Sequence, residues 1–209
     1  MNGTCFIVGS GDFTKRCLNP ENGDLVIAAD GGYRYLLENG IKADLLMGDF
    51  DSLDYVPNDI KILRFPSEKD DTDMGLSVQE GIRRGYKKFM LFAGSGSRPD
   101  HFYANCQLMA KYALLGYKIS LFAPDFTLYA LSNSEILLSR EAGTVFSVFS
   151  VTDEAVCECI KNAKYEVSDY VMKNTVPLGV SNEFIGNDVF IKAGNGAMIV
   201  FVYNDNKSK

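Results

Sequence analysis

DLVIAADGG, residues 24 to 32, is an apolar run that ends in an acid and two glycines. A run of that length with no polar alternation reads as a short strand covered on both faces, the habit of a parallel sheet. The same construction precedes it in CFIVGSG (5–11) and follows it in ADLLMGDFDS (43–52). KILRFP (61–66), KKFMLFAGSGS (87–97) and KISLFAP (118–124) continue the series, each apolar run ending in Gly, Asp or Pro. Between the runs lie helix-like segments. YRYLLENG (33–40) stops at Gly40, a C′ glycine, and DMGLSVQEGIRRG (73–85) spaces Met74, Val78 and Ile82 four apart on one face. RPDHFYANCQLMAKYALLG (98–116) puts Phe102, Cys106, Met109 and Ala113 on one stripe, with Pro99 at the first helical position. Alternating strands and helices predict an α/β fold with an open, mostly parallel sheet over residues 1–131.

After residue 131 the texture changes. EILLS (135–139), GTVFSVFSV (143–151), AVCECIKNAKYEV (155–167), NDVFIKAG (187–194) and GAMIVFVY (196–203) succeed one another without a helix-length pattern. They predict a small all-β sandwich or barrel domain over 132–209. GNG at 194–196 reads as a hairpin turn joining its last two strands.

The chain has 209 residues, 46% hydrophobic and 23% charged, which is the balance of an ordinary soluble globular protein. No apolar run approaches a membrane span, and MNGTCFIVGSG lacks the basic start of a signal peptide, so the expected location is cytoplasmic. Five irregularly spaced cysteines and one histidine argue against a disulfide framework and a zinc site. Cys157 and Cys159 would share one face of a strand. A pI near 4.9 argues against nucleic-acid binding.

The charge is not spread evenly. From Asp44 to Asp73 there are nine acids against three bases, a surplus of six that equals the formal net charge of −6 for the whole chain. In GDFDS, Asp49 and Asp51 alternate on an extended backbone and point the same way, so they can share a hard cation. In KDDTD, Asp70, Asp71 and Asp73 come just before or inside a helix start, with Thr72 or Asp73 as its N-cap. Capping accounts for one or two of these acids. Gathered in one site, unneutralised carboxylates would repel by about 4 kcal/mol per pair at about 4 Å. A divalent metal removes that conflict, and Mg²⁺ suits a few carboxylates combined with substrate phosphates. GSGSRPDH (94–101) is a glycine loop entering a helix, which offers N–H groups to an anion, and Arg98 adds a planar cation. Asp100 and His101 follow in the first turn, placed to orient Arg98 or the waters of a bound metal. In an open α/β sheet, ligands sit outside the C-terminal strand ends, and these motifs fall there.

ADGG (29–32), GDFDS (48–52), P-x-x-KDDTD (66–73), G-S-R-x-DH (96–101) and GVSNEF (179–184), in that order, resemble the bacterial thiamine pyrophosphokinase family across nearly the whole chain. The resemblance implies transfer of the pyrophosphoryl group of ATP to the hydroxyl of thiamine. It implies Mg²⁺ held by Asp49, Asp51 and Asp73. Catalytic roles fall to Asp49, Asp51, Asp70, Asp73 and Arg98. The ATP side takes Gly9, Asp30, Gly31, Thr72, Asp100 and His101, and the thiamine side takes Ser181, Asn182 and Glu183. It also implies a homodimer, with thiamine between the α/β domain of one subunit and the β domain of the other. With no tryptophan in the chain, Phe184 or an aliphatic residue near Met198 would pack on the thiamine rings. Two alternatives stay open: a DxD transferase acting on another small molecule, and a non-catalytic thiamine- or nucleotide-binding regulator.

Overall fold

The computed structural model describes residues 3–48, 60–64, 71–96 and 98–204. The chain divides into two compact units, Met1–Asn105 with Leu121–Pro124, and Cys106–Ser120 with Asp125–Lys209.

The first unit carries β1 (Thr4–Val8), β2 (Leu25–Ala29), α1 (Gly32–Glu38), β3 (Leu45–Gly48), β4 (Lys61–Arg64), α2 (Asp73–Arg83) and β5 (Lys88–Phe92). Two further elements, α3 (Pro99–Leu114) and β6 (Lys118–Phe122), run through the division. Within the unit the strands lie in the order β5-β1-β2-β3-β4, every pair parallel. All residues of β1, β2 and β3 are buried, which is why their sequences are apolar without alternation. Phe6, Val26, Leu36, Leu46 and Phe92 are among the residues of one core cluster. Gly40 sits at φ +65 just past α1, where its N–H bonds to the Leu37 carbonyl. Met74 and Val78 are buried on α2, and Met109 and Ala113 on α3.

The second unit adds β7 (Phe126–Leu131), β8 (Ser134–Leu138), β9 (Val145–Ser150), β10 (Glu154–Lys161), β11 (Val167–Lys173), β12 (Asn182–Glu183), β13 (Val189–Ala193) and β14 (Met198–Tyr203). Antiparallel pairing gives two sheets, β12-β9-β14-β7 and β11-β10-β13-β8. Phe146 and Val200 from one meet Cys157 and Ile191 from the other in a single core, a sandwich.

Two expectations need correction. GNG is not a hairpin turn, because β13 and β14 belong to different sheets. Two of its backbone bonds go to β10 instead, Gly194 N–H donating to the Val156 carbonyl and Val156 N–H to that of Asn195, and the Gly194 carbonyl accepts the Asn133 N–H. Gly196, at φ +87, carries the chain across from one sheet to the other. Nor do Cys157 and Cys159 share an environment. A bulge between them in the pairing with β13 breaks the alternation, burying Cys157 and Ile160 and leaving Cys159 half-buried. Burial pushes the Cys157 thiol up to about 11, with Cys159 adding to the rise, which leaves it unreactive.

Candidate active site

β1 has β2 on one side and β5 on the other, so the strand order reverses at this point of the first unit. The crevice outside the C-terminal ends of such a pair is where open α/β sheets receive ligands. Here the two strand-end loops are joined. Gly9 N–H donates to the Phe92 carbonyl at 2.9 Å, Gly11 N–H to that of Ala93 at 2.8 Å, and Asp12 N–H to that of Ser95 at 2.7 Å. A β-carbon on Gly11 would collide with the carbonyl oxygens of Ser95 and Ala93, so only glycine permits the approach. A cavity of about 490 Å³ opens beside this seam.

Gly9, Asp30, Thr72, Asp73, Arg98 and His101 all line that cavity. Asp30 turns the end of β2 in the left-handed region, φ +50, with its N–H on the Met47 carbonyl at 2.7 Å. Thr72 is the N-cap of α2 and accepts the Gly75 N–H at 3.1 Å, which leaves Asp73 as the first helical residue. Gly31 precedes α1. Arg98 forms a double contact with Asp100, Nε to Oδ1 at 3.0 Å and Nη2 to Oδ2 at 2.7 Å. That bond holds the Asp100 carboxyl far below the usual carboxylate range. His101 sits exposed in the first turn of α3.

Part of the acidic surplus is structural. Asp44 accepts the Val26 N–H at 2.8 Å, and Asp71 accepts the Thr72 N–H at 2.8 Å and the Gln79 amide at 2.7 Å. Asp49, Asp51 and Asp70 lie outside the described residues.

A second cavity of about 550 Å³ lies wholly in the β unit, lined by Tyr165, Tyr170, Ser181 and Asn182 among others. Asn182 is buried, and its amide clasps Tyr165: Tyr165 N–H donates to Oδ1 at 3.0 Å and Nδ2 donates to the Tyr165 carbonyl at 2.7 Å. Ser181 takes φ +60, with its N–H on Ser147 Oγ. Glu183 pairs with Lys164 at 3.0 Å. Phe184 and Met198 are each 0% exposed and packed in the sandwich core, so neither offers a face to a ligand. The rings at this cavity are those of Tyr165 and Tyr170.

Residues 19–121 match the model of the thiamin pyrophosphokinase catalytic domain. Over that stretch the chain resembles the thiamin pyrophosphokinases. A curated thiamine pyrophosphokinase of Bacillus subtilis (strain 168) is 25% identical over 188 residues, 87% of this chain and 88% of that one. Among solved structures, the Bacillus subtilis thiamine pyrophosphokinase superposes with a TM-score of 0.85 at 23% identity, covering 97% of this chain and 99% of that one. The Geobacillus thermodenitrificans thiamin pyrophosphokinase gives 0.82 at 22% identity, covering 99% and 100%. Yeast thiamin pyrophosphokinase gives 0.71 at 16%, covering 97% and 86%. These structures share the fold.

The thiamin pyrophosphokinase motifs account for much of the cavity wall. They do not name Ser10, Gly11 or Asn105, which also line it. Asn105 follows His101 by four residues, one helical turn deeper, and that spacing is the signal that would have found it. Asp30, Asp71 and Asp73 give this cavity hard oxygen donors, the type Mg²⁺ prefers. Among the described residues, no three acid, cysteine or histidine side chains lie close enough to hold an ion by themselves.

Proposed function

We propose that the chain is a thiamine pyrophosphokinase that uses ATP and magnesium. The thiamine hydroxyl oxygen bonds to the β-phosphorus of ATP and the bond from that phosphorus to the α-phosphate oxygen breaks. Thiamine diphosphate and AMP result, and the hydroxyl proton is released. One observation carries the reading. Arg98, clamped by Asp100 at the glycine loop, opens into the same cavity as Asp30 and Asp73. Phosphoryl-type transfer asks for aligned groups and neutralised charge rather than a covalent intermediate, and this cavity combines both signs. Gly9, Gly31, Thr72 and His101 complete the ATP side in this reading.

Magnesium would be held by Asp49, Asp51 and Asp73, the first two assigned from the sequence motif, with Asp70 beside them. It supplies neutralisation of the polyphosphate charge. Asp73 is the assigned acceptor of the hydroxyl proton. Ser181, Asn182 and Glu183 form the thiamine side, where the cationic thiazolium suits the faces of Tyr165 and Tyr170. Tyr165, Tyr170, Val171, Leu178, Val180 and Ile185 are exposed on the β unit, and exposed apolar side chains of that kind support the homodimer. No helix among the described residues is long and apolar enough to cross a membrane, in keeping with a cytoplasmic enzyme.

The test is one incubation of purified protein with ATP, Mg²⁺ and thiamine, beside a metal-free control, separated by chromatography. Equal amounts of thiamine diphosphate and AMP, absent without metal, are expected. ADP with thiamine monophosphate would overturn the transfer chemistry. Bound thiamine without any product would make the chain a regulator.

A further inference from the structure

Four consecutive carbonyls lead from β5 into the glycine loop, and each accepts a hydrogen bond from a residue outside it. Phe92, Ala93 and Ser95 accept the N–H groups of Gly9, Gly11 and Asp12, at 2.9, 2.8 and 2.7 Å. Gly94 accepts Nδ2 of Asn105 at 2.8 Å. Three of the four ties are main-chain and belong to the fold. Asn105 is the one side chain in the set.

Its setting is specific. Asn105 is 6% exposed, yet it lines the cavity together with Gly94, Ser95, Arg98 and His101. Gly94 makes the approach possible, since a β-carbon there would lie 3.1 Å from Asn105 Nδ2 and 2.8 Å from a Leu121 methyl. The energetic logic concerns the acceptors. A carbonyl free to turn toward a phosphate would repel it, whereas a carbonyl bonded elsewhere leaves the loop's N–H groups to face the anion. In a trans peptide the N–H points opposite to the C=O, so holding the Gly94 oxygen also fixes the direction of the Ser95 N–H.

We propose that Asn105 is a positioning residue for a polyphosphate-receiving loop, acting through the Gly94 carbonyl rather than by touching the reacting atoms. The inference deepens the reading above and rests on it, because it assigns the polyphosphate end of ATP to Gly94–Gly96. It separates two roles a buried asparagine can have. A merely structural residue lowers stability and affects both substrates alike. A positioning residue affects the anion and spares thiamine.

The experiment uses the full chain with Asn105→Leu and Asn105→Asp, which keep the approximate shape of the side chain and remove its donor. Steady-state kinetics give KM for ATP and for thiamine, and calorimetric titration with inorganic pyrophosphate in the presence of Mg²⁺ reads the loop directly. The expected result is a rise of at least about tenfold in both the ATP KM and the pyrophosphate Kd, with the thiamine KM within about twofold and Tm within a few degrees. Unchanged ATP and pyrophosphate values would overturn the proposal. So would a parallel loss in kcat and both KM values with a large fall in Tm, or failure of both variants to fold. Should the wild type bind pyrophosphate without making AMP, the kinase reading falls, and the titration alone decides the role of Asn105.

Discussion

Arg98 and Asp100 share two hydrogen bonds at the mouth of the first cavity, 3.0 and 2.7 Å long, although both side chains are mostly exposed. An exposed pair adds little stability. Its geometry is what counts, because a guanidinium gripped along one edge presents its remaining N–H groups in a fixed direction. Arg98→Ala is expected to lower kcat/KM for ATP by about 10². Asp100→Asn, which loosens the grip without removing the cation, is expected to cost about tenfold. Both variants should melt with the wild type, and a thermal scan beside steady-state kinetics checks the pair.

Asp73 is the first residue of α2 and lines the cavity. Asp73→Asn should cost no more than about 1 kcal/mol of helix stability, the value of one acid at a helix start. It should lower turnover by at least about 10². Asp51→Asn, outside the described residues, should behave in the same way. Near-normal turnover in both would remove the carboxylate scaffold from the mechanism.

Gly11 sits in the seam between the two strand-end loops, its N–H on the Ala93 carbonyl. Gly11→Ala places a methyl against the carbonyls of Ala93 and Ser95 and must part the seam. The expected cost is about 1–3 kcal/mol in a urea titration. The accompanying displacement of the loop should lower turnover by about 10². Wild-type turnover in a Gly11→Ala protein would show that the seam does not set the geometry of the site.

Glu80 is a buried carboxylate bonded by two arginines, Arg83 through Nε at 2.7 Å and Nη2 at 2.8 Å, and Arg84 through Nε at 2.7 Å. The Arg83 hydrogen bond is the largest of the causes that lower its pKa to about 2, while burial opposes the shift. A carboxyl depressed on folding stabilises above its unfolded value, about 4.3, and that contribution is lost as the pH falls toward the folded value. Glu80→Gln should therefore cost about 1–3 kcal/mol at pH 7, with a difference from the wild type that shrinks between about pH 4 and pH 2. Urea titrations at several pH values measure it. A difference independent of pH would assign the loss to packing.

Much of this molecule is legible before folding. Runs such as Leu25–Ala29 must be buried on both faces, and Gly40 and Pro99 mark helix ends through backbone preferences that act locally. The motifs pointed to Arg98, Asp73 and Asp30 because charge and glycine at strand ends have few purely structural uses. Other features were misread for equally physical reasons. Gly194–Gly196 has the composition of a hairpin turn, but whether β13 and β14 pair depends on which sheet each joins. Phe184 looked available to a ligand, yet the edge-to-face packing against Phe146, with ring centroids 5.1 Å apart, gives it to the core. Asn182 lines the second cavity with both of its polar atoms on the Tyr165 backbone, a tie between distant residues that residue type alone does not announce.

The sequence by itself determined the alternation of strand and helix, the two textures of the chain and the acidic surplus, all of which are local properties of residue type and spacing. The tertiary structure alone decided that β1 lies between β2 and β5, that the loops after β1 and β5 are sewn together, and that Asn105 reaches the Gly94 carbonyl. The first two relations join residues far apart in sequence and exist only once the chain has closed the sheet that brings their backbones within hydrogen-bond distance, while the Asn105 amide reaches back eleven residues from α3.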